Sequence, residues 1–222
     1  VKTYTVLDGT TFVNHKSFEN KSTLTSITFP SSVTSIGEYA FSYCPYLSSI
    51  TLSDGLTTIG TYAFQNCDVL KTIHIPDTVT TINAHAFRGC DLLNEVYLGA
   101  STKTLGDMAF MNCPKLTTIT LPDAISTITA DGTSSNDTYN YGTFQNCPIN
   151  IVNVPSTVTS IPESIYNKSS INKFVCEDSE FVGGVGYFDD DGILYKKNIY
   201  TEVQHLVKCP NSKAVKTYTV LD

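Results

Sequence analysis

Four cysteines stand at identical spacing: Cys44, Cys67, Cys90 and Cys113, 23 residues apart each time. Thiols in such a row could ligate a soft metal, pair as disulfides, or fill a core as small, weakly polar groups. Metal ligation needs close CxxC pairs or interleaved histidines. No CxxC occurs, and the four histidines (His15, His74, His85, His205) are scattered. Adjacent turns of a repeat bring Cα atoms within disulfide range, so some pairing stays open, and a buried structural column is the reading we carry forward. Asp189-Asp190-Asp191 before Gly192 lacks the alternating oxygen ligands and distal Glu of a calcium loop, and reads as a solvated turn. Gly183-Gly184-Val185-Gly186 has no helix signal behind it to cradle a phosphate. No Ser/His/Asp or Cys/His arrangement stands out. We therefore expect no catalytic residues, no metal and no cofactor: the chain reads as a non-enzyme.

Charge narrows the partners. A net charge of −7 and a pI near 5.0 argue against nucleic acid, which needs a basic face. No stretch approaches the roughly 20 apolar residues that span a bilayer, so no membrane insertion is expected within this fragment. The chain starts without Met or a secretory leader, as expected of an excised or mature fragment. With 41% hydrophobic and 16% charged residues, it should fold around a real core beneath an uncharged, Thr- and Ser-rich surface.

The elements that would position any site follow from the 23-residue period. Segments start at Leu24, Leu47, Leu70, Leu93 and Leu116. The fourth residue of each is Ile27, Ile50, Ile73, Val96 or Ile119, and the sixth is Phe29, Leu52, Ile75, Leu98 or Leu121. This alternation predicts a half-buried strand, ended by Pro30, Pro76, Pro122 and Pro155 because proline cannot donate to a ladder. A further apolar pair follows (Val33 and Ile36, for instance), then a bend at Gly37, Gly60 or Gly106. The pairs Ala40-Phe41, Ala63-Phe64, Ala86-Phe87 and Ala109-Phe110 predict a return by a short helical or 3₁₀ turn, with Phe plugging the core. Residues 1–23 fit the same frame. An insertion near residues 130–140 interrupts it before Phe144 and Cys147, and one more coil runs from Ile149 to Ile165.

The motif Leu24-x-x-Ile27-x-Phe29-Pro30-x-x-Val33-x-x-Ile36-Gly37-x-x-Ala40-Phe41-x-x-Cys44 resembles the BspA-type leucine-rich-repeat family, over about residues 1–170. The expected fold is an α/β repeat solenoid. It is a leucine-rich-repeat array of about seven 23-residue coils, with a parallel β-sheet on the concave face and a small β-hairpin spacer after it. The resemblance implies a surface-exposed adhesive or structural protein, placed extracellularly or on the cell surface, and carries over no catalytic residue.

A longer period overlies this one. Val1-Lys-Thr-Tyr-Thr-Val-Leu-Asp8 recurs unchanged at Val215 to Asp222, an offset of 214. Residues 1–170 read as the array, 171–214 as a β-rich spacer, and 215–222 as the first strand of a following unit. An engineered or cloning duplication is the other account of the repeat. Within the spacer, Tyr187-Phe188 and Ile193-Leu194-Tyr195 flank an Asp-Gly turn and predict a hairpin, with Val203 to Val207 as a further strand.

On the outward strand columns most residues are small hydroxyls, such as Ser26, Thr28, Ser49, Thr51 and Thr118. His74, Glu95 and Tyr97 break that monotony at mid-array and form the candidate ligand patch, since a solenoid's sheet is its usual binding face. The bland alternative is an ordinary solvated face with one aromatic. Asn20, Asn136 and Asn167 head N-x-S/T sequons, candidate glycosylation sites that matter only in a eukaryotic source. Two functions are carried forward. One is a scaffold unit that builds a stalk or fibre by end-to-end stacking through Tyr4, Val6, Tyr218 and Val220, its partners being other copies or neighbouring units. The alternative is an adhesin module binding a host or matrix protein or a glycan.

Overall fold

The computed structural model describes residues 2–128, 142–149, 151–154, 173–176, 187–188, 194–197, 204–208 and 216–219. Each coil has three sides. The first is a strand of the alternating segment: β1 (Lys2–Thr5), β3 (Leu24–Thr28), β5 (Ser49–Thr51), β7 (Thr72–His74), β9 (Glu95–Tyr97), β11 (Thr118–Thr120) and β13 (Ile151–Val154). The second is a two-residue strand: β2 (Phe12–Val13), β4 (Ser35–Ile36), β6 (Thr58–Ile59), β8 (Thr81–Ile82), β10 (Thr104–Leu105) and β12 (Thr127–Ile128). Six coils thus carry both strands, and β13 opens a seventh. Pairing is parallel, and register steps by one period: Ile27 meets Ile50, Ile73 meets Val96, and Ile36 meets Ile59. Each apolar residue therefore lies over its own counterpart.

Three turns join the sides. The Val33 amide bonds the Pro30 carbonyl at 3.1 Å, the Ala40 amide bonds Gly37 at 3.3 Å, and the Leu47 amide bonds Cys44 at 3.1 Å. The second corner is crowded. A Cβ on Gly106 would lie 2.3 Å from the Ala84 nitrogen and 2.4 Å from the Asn83 carbonyl carbon. Backbone cannot yield there without moving a whole coil, so Gly106→Ala is expected to cost about 1–3 kcal/mol. An unchanged midpoint in thermal unfolding would refute that close approach.

The third side differs from the sequence expectation. Among the described residues no helix forms. The Ala-Phe segment runs as consecutive turns in which left-handed residues recur four apart: Tyr39 (φ 54°) and Tyr43 (φ 56°), Tyr62 (φ 56°) and Asn66 (φ 54°). Each such residue breaks the helical run and costs about 1–2 kcal/mol unless it is Gly or Asn. An inter-coil ladder offsets that cost. The amides of Tyr39, Phe41 and Tyr43 donate to the carbonyls of Thr61, Ala63 and Gln65 on the next coil, at 3.0, 2.7 and 2.8 Å. On the second side the direction reverses, since Thr57 and Gly60 donate back to Thr34 and Ile36 at 2.8 Å.

Inside, Phe18, Phe41, Phe64, Phe87, Phe110 and Phe144 stack ring on ring, with centroids 5.1–5.7 Å apart. Leu24, Ile27, Ile36, Ala40 and their counterparts close the core around them.

The first-side strands fall into three ladders, β1–β3–β5, β7–β9 and β11–β13, and the last continues into β14 (Lys173–Cys176), parallel to β13. β18 (Lys216–Thr219) then pairs antiparallel to β14, Phe174 opposite Tyr218. The two copies of the octapeptide thus pair differently: β1 is parallel to β3. The hairpin reading holds, with β15 (Tyr187–Phe188) antiparallel to β16 (Leu194–Lys197), and β17 (Gln204–Lys208) beyond it.

Candidate functional site

Strand geometry turns Ile73 and Val96 inward and sends their neighbours out. β7 and β9 therefore place His74 directly against Tyr97. Their rings stack at 4.4 Å with planes 3° apart. The Thr72 hydroxyl donates to Glu95 Oε2 at 3.2 Å. The structure thus brings His74, Glu95 and Tyr97 together on two adjacent strands, all exposed, with Tyr97 at 52%. Elsewhere the face is short and hydrogen-bonded: the Ser26 hydroxyl reaches Thr3 at 2.9 Å, and the Asn153 amide donates to the Thr120 hydroxyl at 3.0 Å.

Two grooves meet beside this cluster. One, of about 430 Å³, runs past Glu95, Tyr97, Thr118, Thr120 and Pro122. The other, of about 610 Å³, runs from Lys71 past Leu92 to Lys115. Asn94, Glu95 and Thr118 line both, so they form one trough.

The return side carries an aromatic row that sequence reasoning missed. Tyr39 stacks on Tyr62 at 4.7 Å, and Tyr62 on His85 at 4.4 Å. Lys16 Nζ lies 5.3 Å from the Tyr39 ring centroid. Partial burial and the neighbouring Tyr39 raise the Tyr62 phenol above its ordinary value. The signal was present, since the residue before the first three Ala-Phe pairs is Tyr39, Tyr62 or His85 at the same spacing.

The remaining candidates lie apart. Tyr4 is 42% exposed and meets Phe18 edge-on at 6.0 Å, while Val6 is half-buried against the core. Tyr218 lies in β18, which pairs with β14, and Val220 lies outside the described residues. Asn20 is exposed, and Asn136 and Asn167 lie outside the described residues.

Cys44, Cys67, Cys90, Cys113 and Cys147 are buried free thiols. Each donates to the Phe carbonyl one coil back, as Cys67 to Phe41 at 3.3 Å and Cys147 to Phe110 at 2.8 Å. Burial pushes the Cys90 thiol up to about 12. Protonated and committed as a donor, the Cys90 thiol is a poor nucleophile near neutral pH. Among the described residues no group of three or more His, Cys, Asp or Glu could hold a metal ion, and no helix is long and apolar enough to cross a membrane.

Comparison with known proteins agrees with the repeat. Among curated proteins nothing matches the chain. The leucine-rich-repeat protein of T. pallidum matches at 30% identity and a TM-score of 0.53, over 57% of this chain and 68% of that one. A leucine-rich cell surface protein of Faecalibacterium prausnitzii A2-165 matches at 24% identity and a TM-score of 0.51, over 81% of this chain. This chain spans 60% of the latter's length, and that likeness concerns the fold. The model of the BspA type leucine rich repeat region matches residues 11–139 and 125–205, in six copies. Such a repeat family is in general non-enzymatic and serves interaction or scaffolding. The 23-residue columns, the parallel ladders and these matches agree: the chain belongs to the BspA-type leucine-rich-repeat family.

Proposed function

We propose that this chain is a non-enzymatic, extracellular or cell-surface scaffold unit that extends a stalk by head-to-tail stacking. One observation carries the reading: inter-coil hydrogen bonds run in a fixed sense on each of two sides. On the second side each coil donates back, as Gly60 to Ile36, and on the return side each donates forward, as Phe41 to Ala63. Coils polarised in this way join in only one docking sense, and natural sheets pair or shield their edges. That complementarity is heterologous, so stacking would propagate rather than close. The F. prausnitzii neighbour is itself described as a cell surface protein, which fits the placement.

Deleting residues 1–8 while keeping 215–222 is expected to lower end-to-end association in sedimentation velocity. Equal association of both forms would overturn the stacking reading.

A second reading is favoured by the His74–Tyr97 pair, the exposed aromatic stack on the strand face. Here the same surface is adhesive, toward a host or matrix protein or a glycan. A stalk can carry both roles.

A further inference from the structure

We propose that the notch beside Tyr97 is a carbohydrate subsite that seats one pyranose ring of an oligosaccharide. The proposal rests on the adhesive reading and names its ligand class. His74 and Tyr97 are parallel rings on neighbouring strands, 4.4 Å apart, close to the strand spacing of about 4.8 Å. Their ring normals therefore run along the array axis. Tyr97 keeps one face covered by His74 and turns the other toward the next coil.

On that coil the same column holds Thr120, too short to continue the stack. A rung is thereby left open. The groove of about 430 Å³ lies there, lined by Tyr97, Thr118, Ile119, Thr120 and Pro122 among others. Its volume suits a single sugar ring and its linkage.

Lining chemistry selects the occupant. A pyranose presents an apolar C–H face and a rim of hydroxyls. The Tyr97 face meets the first. Glu95, Asn94, Thr118 and Thr120 ring it with donors and acceptors for the second. Glu95 Oε2 is held by the Thr72 hydroxyl, which fixes the carboxylate and leaves Oε1 to accept from the sugar. An aromatic side chain of a peptide would cover the same face but desolvate that carboxylate without a donor, which is costly. The second groove, sharing Asn94, Glu95 and Thr118 and running to Lys115, gives the next residues of an oligosaccharide a path.

Saturation-transfer NMR on the whole chain tests this with cellotetraose, chitotetraose and a hyaluronan tetrasaccharide as probes. At least one should show transfer to its ring C–H protons. Tyr97→Ala should weaken that binding about tenfold, equivalent to about 1.4 kcal/mol. Thr120→Tyr, which fills the open rung with a ring, should abolish it while leaving the unfolding transition in place. No transfer to any of the three probes overturns the proposal, as does transfer indifferent to both substitutions. Binding of the chain to immobilised type I collagen is measured in parallel. Collagen binding lost in Tyr97→Ala, without a saccharide signal, overturns the carbohydrate subsite alone and leaves the adhesive face standing. Loss of both signals in the unmodified chain overturns both.

Discussion

Phe64→Ala is expected to lower the unfolding free energy by about 3–5 kcal/mol in denaturant titration. Phe64 is fully buried, and its ring lies between Phe41 and Phe87 at 5.2 Å on either side. Truncation removes two stacking contacts as well as the transfer energy of the ring. The void cannot easily collapse, because the backbone here is tied to both neighbouring coils: the Phe64 amide donates to Ala86 at 2.7 Å, its carbonyl accepts from Cys90 at 3.2 Å, and the adjoining Ala63 carbonyl accepts from Phe41 at 2.7 Å. A cavity held open in this way should sit toward the costly end of the range. Loss below about 1 kcal/mol would mean that neighbouring coils close over the gap, and that the column is not the spine of the core.

The second large effect concerns alkali. The Cys90 thiol has an ordinary value of 9.0, and burial raises it to about 12 in the folded chain. The unfolded thiol therefore releases its proton first. Between those values the unfolded state binds fewer protons than the folded one, so stability falls as pH rises. Below pH 9 the contribution is fully present. Across the three-unit window Cys90 alone removes about 4 kcal/mol, at 1.36 kcal/mol per unit. Cys90→Ala should be less stable than the parent at pH 8, with the gap narrowing steadily from pH 9 upward. A gap independent of pH would show that the folded thiol ionises without penalty. At pH 8 the folded thiol should also react with a disulfide reagent roughly a thousandfold more slowly than an ordinary one, because thiolate is the reactive form.

Much of this architecture is legible in the residues. The spacing of Leu24, Ile27 and Phe29 fixes which side of β3 is buried, and repetition of the pattern fixes the parallel register. What escapes sequence reading is set by neighbouring coils. Tyr39 and Tyr62 have no intrinsic preference for left-handed backbone, and the inter-coil ladder holds them there. That is why a helical return was expected and a turn ladder was found. Two-residue strands such as Thr58–Ile59 are too short to show a period, so the second sheet reads only as a bend with an apolar pair.

The octapeptide makes the same point about direction. Lys-Thr-Tyr-Thr forms a strand at both Lys2–Thr5 and Lys216–Thr219, as its alternation and β-branched content suggest. It pairs parallel in one place and antiparallel in the other, because chain connection, not composition, decides the sense. The candidate site divides similarly. His74, Glu95 and Tyr97 stand out by type against a hydroxyl background, and register then puts them together. The open rung over Thr120 becomes visible only once the ring planes are known.

The opposed hydrogen-bond directions of the second and return sides bear on how long such an array can grow. In an α-helix every peptide dipole points the same way, and the sum leaves about half a charge at each end. Here amides on one side point toward the first coil, and those on the return side point toward the last. Their axial components oppose, and each added coil contributes both. A long array therefore builds up less axial dipole per coil than aligned peptides would, and growth loads its ends less steeply than lengthening a helix does.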